Sequence, residues 1–194
     1  MTIAQQAHLG DPANTRFWRV IGIAYARLGA RLNENGDKAG ALEAFGVGRS
    51  VTQAILAADA NDAPSYTILF ELDRSAANVE AEMGDQRAVS TMENCAAWAG
   101  ARAQRPNATV RDRSLVPRVN AALGSVYETL ARKHGSRADW QHARDAFAAA
   151  LDRWQQLAAK PGAPDYASEI KAAKSQMAEC ERHAGEKLAG AQKQ

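Results

Sequence analysis

Residues 15–45 read TRFWRVIGIAYARLGARLNENGDKAGALEAF, and this stretch decides the fold. Apolar residues recur at helical spacing on both sides of the tripeptide Asn35-Gly36-Asp37. Glycine readily takes the left-handed conformation that ends a helix, so the tripeptide indicates a tight turn. The stretch therefore predicts two helices joined as a hairpin.

The same pattern continues along the chain. Ala, Glu, Arg, Leu and Gln dominate, and β-branched clusters are few, which favours helix. Further turn signals fall at 59–64, 84–85, 105–112, 135–136 and 160–164. They leave about seven helical segments, roughly 14–34, 37–57, 64–83, 86–104, 113–133, 138–159 and 165–188. The predicted fold class is all-α.

Composition excludes several functional classes. The 194 residues include 24 Lys plus Arg and 22 Asp plus Glu, a net charge of +2, and 46% are apolar. This length and apolar content suit one domain, or one repeat array, rather than a disordered chain. A near-neutral charge argues against a nucleic-acid partner. No apolar run is long enough for a signal peptide or a membrane span, so we expect a cytoplasmic protein with Cys95 and Cys180 reduced and no membrane partner.

Internal repetition is the strongest sequence signal. A shift of 48 residues aligns five positions or pairs: Asp11 with Asp59, Trp18 with Tyr66, Val20 with Ile68, Ile21 with Leu69, and Gly36-Asp37 with Gly84-Asp85. A shift of 102 residues aligns six: Arg16 with Arg118, Gly22 with Gly124, Tyr25 with Tyr127, Leu28 with Leu130, Ala41 with Ala143, and Ala44-Phe45 with Ala146-Phe147. The chain therefore predicts a single domain, 1–194, with repeats at about 11–58, 59–108 and 109–162 and a capping helix at 165–190.

These residues resemble a known family. The spacing Trp18-x2-Ile21-Gly22-x2-Tyr25 resembles the opening of a tetratricopeptide (TPR) repeat, and Ala41, Phe45 and Gly48 keep the spacing of its second helix. The period here is 48 residues rather than the usual 34. Residues 36–45 are also similar to long repeats in C-terminal regions of bacterial serine/threonine kinases. The resemblance implies a right-handed solenoid of helix pairs whose first helices line a concave groove for a protein or peptide partner.

The first residues suggest a context for this domain. Residues 9–14 resemble the loop between two repeats, without the preceding second helix, whereas the last helix is polar enough to cap an array. We therefore expect either the regulatory tail of a larger signalling protein or a homodimer that pairs through its first helix pair.

Catalytic motifs are missing from the sequence. It holds no Gly-rich phosphate loop, CxxC pair, HExxH, GxSxG or protein-kinase motif, so we expect no enzyme activity, no resident metal and no cofactor. Cys180 and His183 have a spacing that metal ligands use, but two ligands without a second pair indicate an inert surface pair.

Two carboxylates depart from the repeat pattern. Asp73 and Glu93 stand where the other repeats place Tyr25 and Phe45. Buried together, they would need a cation or a shared proton and could bind a metal or transfer protons. Alternatively, the helix register slips by one residue. Met92 then takes the phenylalanine position, Phe70 or Leu72 takes the tyrosine position, and the acids face water.

Arginines form the other candidate site. Arg16, Arg27 and Arg31 fall near one face of the first helix with Arg19 beside it, and Arg118 repeats the Arg16 position. In the groove that the resemblance implies, they would bind an acidic peptide or a C-terminal carboxylate. The alternative is a solvated stripe that neighbouring acids neutralise. Trp98 has no aromatic counterpart in the first repeat, and we weigh an exposed interface anchor against a core position.

The sequence thus predicts a non-catalytic scaffold that binds a protein or peptide, acidic in character. Two rivals stay open. One is a small helical enzyme or metal-binding protein built on Asp73 and Glu93, and the other is a structural module that associates with itself.

Overall fold

Seven helices make up the secondary structure of residues 14–191, the part of the chain that the structure, a computed structural model, describes; side chains are described for residues 14–185. The helices are α1 (Thr15–Glu34), α2 (Lys38–Ala58), α3 (Ala63–Glu82), α4 (Arg87–Ala103), α5 (Val110–His134), α6 (Arg137–Ala158) and α7 (Ala167–Ala191). No strand occurs in these residues, which confirms the all-α prediction. Within the same residues, no helix has the length and apolarity needed to cross a bilayer.

The turn between α1 and α2 follows from its residues. Gly36 adopts a φ of 86°, the left-handed conformation predicted for it. The Asp37 carboxylate then accepts a hydrogen bond from the Gly40 backbone N–H at 2.9 Å, which caps the start of α2. Gly84 and Gly135 also have positive φ at the ends of α3 and α5. The predicted turns at these three glycines are confirmed.

Helix α5 begins at Val110, three residues before the predicted start. Thr109 and Asp112 form a reciprocal capping box: the Thr109 hydroxyl accepts from the Asp112 N–H at 3.2 Å, and the Asp112 carboxylate accepts from the Thr109 N–H at 2.8 Å. This Thr-x-x-Asp spacing satisfies backbone donors that would otherwise leave the first turn open. Pro117 lies inside α5 without ending it.

Contacts within the chain divide it into two compact units, the first ending at Val79 and the second beginning at Glu80. The single domain 1–194 and its repeat boundaries stay predictions, as does the right-handed solenoid. Residues 9–13, on which the expectation of an inter-repeat loop rests, lie outside the described residues.

The core of the first unit is built where α2 meets α1 and α3. Helices α1 and α2 pack against each other, and a Cβ on Gly29 would lie 2.5 Å from the Phe45 ring. The buried cluster consists of Ala41, Phe45, Leu72, Ala76 and Val79. A second cluster joins Trp18 to Val51 and Ile55. The aromatic rings thus fill space that glycine and alanine leave open.

The core of the second unit follows the same logic. Helix α5 packs against α4 and α6, and α6 packs against α7. A Cβ on Gly124 would lie 2.7 Å from the Phe147 ring. The buried cluster consists of Ala131, Trp140, Ala143, Phe147 and Cys180. Trp154 packs with Leu157 and Tyr166 near the end of α6. Trp18, Trp140 and Trp154 are buried, whereas Trp98 is half-buried.

Candidate functional site

The outward side of α1 is apolar as well as basic. Phe17, Val20 and Leu28 are 51%, 58% and 48% exposed. Together with Ala24 they are spaced i, i+3, i+7 and i+11, which places them on one side of the helix. Exposed large apolar residues scattered singly are ordinary, but a line of them along one helix indicates a contact surface. We call these four residues the α1 ridge.

Positive charge accompanies the α1 ridge. Helix α1 contains four arginines and one glutamate. Arg16 and Arg27 are exposed, and no carboxylate in the described residues pairs with either. Arg31 is exposed and bonded to Glu34, with Nη1 2.7 Å from Oε2. The ridge therefore presents a net positive field to solvent.

The remaining predicted arginines have neighbours of their own. Arg19 is half-buried, its Nε lies 3.8 Å from an Asp62 carboxylate oxygen, and it donates to the Thr15 carbonyl at 3.3 Å. Arg118 lies on α5 in the second unit, is half-buried and has an interaction partner. Of the five predicted groove arginines, the structure thus leaves Arg16 and Arg27 unpaired within the described residues. Among the described residues, Arg31 pairs only with the exposed Glu34 on its own helix.

A groove of about 320 Å³ runs beside the ridge, between α1 and α3. Apolar and small side chains form most of its wall, with Arg27 at one side and Glu71 at the other; the residues are Ile23, Ala26, Arg27, Ala30, Thr67, Ile68, Glu71 and Ser75. Glu71 is held by Arg74, whose Nη2 lies 2.6 Å from it. The buried Thr67 hydroxyl has no hydrogen-bond partner within the described residues.

The two displaced carboxylates have different environments. Asp73 is buried in the first unit, and the Arg49 Nε lies 2.7 Å from its Oδ1. This contact is an ion pair without an aligned hydrogen bond between those two atoms. Arg74 and Arg87, which lie near these two carboxylates in sequence, pair with Glu71 and Asp85.

Glu93 is exposed in the second unit, and the neighbouring Met92 is fully buried. Burial raises the pKa of the Tyr127 hydroxyl, and the negative charges of Glu93 and Asp139 raise it further. Glu93 therefore acts on Tyr127 through its charge. Leu72 and Phe70 are also buried, so the apolar neighbours fill the interior in this part of the chain. The role proposed for Asp73 and Glu93 together stays a prediction.

The cysteine and histidine of α7 belong to a packed cluster. His183 stacks on Trp140 with ring centroids 4.5 Å apart, and Arg132 lies 5.1 Å above the Trp140 ring. Burial, followed by the charges of Glu128 and Glu179, raises the pKa of the Cys180 thiol to about 11. A thiol with such a pKa is a poor nucleophile and ligand at neutral pH. Neither Cys95 nor Cys180 is in a disulfide, and the described residues hold no group of three metal-ligating side chains.

Two features of the site could not be predicted from the sequence. Arg49 gave no signal as the partner of Asp73, because they lie on different helices and only packing brings them together. The exposed line on α1 was also hidden, since its residues have the spacing of a core face. No protein-family model, curated protein or solved structure matches this chain.

Proposed function

We propose that this chain is a non-catalytic protein-interaction module whose α1 ridge receives an acidic amphipathic helix of another protein. The exposure of Phe17, Val20 and Leu28 on one helix face carries the proposal. The module acts by shape and charge, and no covalent step is involved. The proposal includes two expectations from the sequence, a TPR-like arrangement of the helix pairs and a cytoplasmic location.

The second unit supports a helix as the occupant. The 102-residue shift pairs Phe17, Val20 and Leu28 with Val119, Ala122 and Leu130 of α5. Those three residues are buried, and α4 packs against α5. The face of α5 that the shift makes equivalent to the α1 ridge is thus buried in its unit. A helix laid along α1 would fit the i, i+3, i+7 anchors in the same way.

Charge defines the chemistry of that helix. Arg16, Arg27 and Arg31 lie around the α1 ridge, and the one carboxylate on α1, Glu34, is at its end. An acidic partner gains from these charges, and bidentate contacts to carboxylates suit arginine. A second copy of the same face would bring arginines against arginines, which is repulsive in a two-fold contact. An acidic partner is therefore favoured over a homodimer through this ridge.

Peptide selection followed by affinity measurement tests the proposal. The full chain is used to select displayed helical peptides, and the enriched sequence is labelled and titrated by fluorescence anisotropy. We expect enriched peptides to be acidic and amphipathic. Val20→Asp and Arg27→Glu should each weaken binding about tenfold, which corresponds to about 1.4 kcal/mol. Arg137→Glu, an exposed arginine on α6 without an ion-pair partner in the described residues, is the charge-matched control and should change affinity less than twofold.

Three results would overturn the proposal. The first is no enrichment above background, and the second is a peptide whose affinity ignores both α1 variants. The third is a dimer, seen by light scattering across a concentration series, that Val20→Asp dissociates. This last result would replace the acidic partner with a second copy. Retained helicity by circular dichroism shows that the variants fold.

A further inference from the structure

A second cavity, also of about 320 Å³, lies in the second unit where α4 ends and α6 ends beside the first turns of α5. Its charged wall consists of Arg113, Arg153 and Lys160, and none of the described carboxylates lines it. The wall also contains two side-chain amides, Gln104 and Gln156, and two apolar side chains, Val116 and Leu157. Three positive charges around one small cavity create a positive potential that favours a bound anion.

These three cations are not neutralised by the rest of the described chain. Arg113 and Lys160 have no ion pair there, and Arg153 donates only to the Gln156 side-chain oxygen at 2.9 Å. Four other arginines of this unit form ion pairs; they are Arg87, Arg102, Arg132 and Arg144.

The two nearest acids in sequence are already engaged. Asp112 precedes Arg113, but it is buried and held by Arg102 and by the Thr109 N–H and hydroxyl. Asp152 precedes Arg153, and it accepts a hydrogen bond from the Gln156 side-chain amide at 2.7 Å. Neither carboxylate lines the cavity. The positive charge there is left for a ligand.

We propose that this cavity binds the phosphoryl group of a small organic phosphate. A phosphoryl group carries more charge than a carboxylate and offers three terminal oxygens, which suits two guanidinium groups and an ammonium. Val116 and Leu157 supply an apolar wall for the organic part. The volume lies at the lower end of the range for small-molecule sites, about 300–1,000 Å³. The proposal is independent of the α1 ridge.

Calorimetric titration of the full chain with three probes tests it. The probes are phenyl phosphate, inorganic phosphate and benzoate, at one ionic strength set with chloride. We expect phenyl phosphate to bind at least about tenfold more tightly than benzoate, because it carries more charge. Inorganic phosphate binding as tightly as phenyl phosphate would assign the site to free phosphate and overturn the organic ligand.

Matched variants locate the site. Arg113→Gln and Lys160→Gln should each weaken phenyl phosphate binding about tenfold, whereas Arg137→Gln removes the same charge elsewhere and should have no effect. Equal weakening by all three variants would show non-specific charge attraction and overturn the proposal. So would benzoate binding as tightly as phenyl phosphate, or no heat with any probe. Because Lys160 is exposed and Arg113 is half-buried, unchanged urea midpoints serve as the folding check.

Discussion

Leu28 on α1 and Leu130 on α5 are equivalent under the 102-residue shift, yet Leu28 is 48% exposed and Leu130 is fully buried. Phe17 and Val119 differ in the same way. Helix α5 packs against α4 within its unit. Apolar residues at equivalent positions are thus buried in one helix and exposed in the other. Burial at these positions therefore depends on the packing around the helix and does not follow from the apolar pattern alone.

Leucine truncation gives the largest expected effect and tests this comparison directly. Leu130→Ala should lower the free energy of unfolding by about 3–5 kcal/mol, because it leaves a cavity among fully buried side chains. Leu28→Ala should stay within about 0.5 kcal/mol, because the side chain is already in water. Urea unfolding followed by circular dichroism measures both. Equal losses would show that α1 is covered in solution by something that the described residues do not include.

Buried ion pairs extend the comparison to polar groups. Arg102 and Asp112 in the second unit have side chains that are 6% and 5% exposed, whereas Arg49 in the first unit is 35% exposed and Asp73 is 9% exposed. A buried charge left without its partner is costly, and a partly hydrated one much less so.

Arg102→Met should therefore destabilise by about 3 kcal/mol, because it leaves the Asp112 carboxylate buried without its cation. Arg49→Met should cost less, about 2 kcal/mol, because the Arg49 side chain is 35% exposed, although its Nε and the Asp73 Oδ1 are themselves shielded from water. Chemical denaturation of both variants, with Arg137→Met as the exposed control, gives the values. A larger loss for Arg49→Met than for Arg102→Met would reverse the assignment of the more deeply buried pair.

Much of the helical frame was predictable from the sequence. Turn-forming glycines and helix-forming segments were enough to predict the seven helices of the described residues, since both signals act within a few residues. The start of α5 was missed because Thr109 and Asp112 were not identified as a cap. The site was harder, because the exposure of Val20 and the pairing of Arg49 with Asp73 depend on residues distant in sequence.

The aligned phenylalanines show a similar limit. Phe45 and Phe147 match at 102 residues, but Phe45 lies against Gly29 and Phe147 lies against Gly124, the equivalent of Gly22. The 102-residue shift places the end of α1, Glu34, at residue 136, but α5 already ends at His134. The turn between α5 and α6 therefore comes earlier than the turn between α1 and α2. Because the helices of a pair run antiparallel, the earlier turn brings Phe147 of α6 against a residue nearer the start of α5. The repeated sequence therefore does not produce the same phenylalanine–glycine contact in the α1–α2 pair and the α5–α6 pair.

Glycine substitution makes that difference in register measurable. Gly29→Ala and Gly124→Ala should each cost about 1–3 kcal/mol, because the new Cβ would meet a buried ring. Gly46→Ala, with open space around its Cβ, should stabilise by about 0.5–1 kcal/mol through helix propensity. Replacing Phe147 by Leu should relieve Gly124→Ala but leave the cost of Gly29→Ala unchanged. No coupling between Gly124 and Phe147 in this double-mutant cycle would contradict the register.

The smallest expected effect is the loss of stability at low pH, which should differ between the two units because their carboxyl groups differ. The carboxyl groups with a lowered pKa, Asp85, Asp112 and Glu179, all lie in the second unit. For Asp112, burial acts to raise the pKa, but hydrogen bonds from Thr109 and the Arg102 side chain outweigh it and lower the pKa from its ordinary value of 3.8. For Glu179, the hydrogen bond from Arg132 lowers the pKa from 4.5.

A carboxyl group with a lowered folded pKa binds protons more readily when the chain is unfolded. Its stabilisation is therefore complete above the ordinary pKa and is lost as the pH falls through the lower folded value. Hydrogen exchange followed by NMR between pH 5 and pH 2, which runs from above the ordinary carboxyl pKa of about 4 down through the lowered folded values, should show amides of α5 losing protection more steeply than those of α1. Asp112→Asn should flatten the α5 slope, whereas Asp59→Asn in the first unit should leave it unchanged. An α1 slope as steep as that of α5 would mean that the units respond to acid together, and the chemical contrast between them would not extend to their stability.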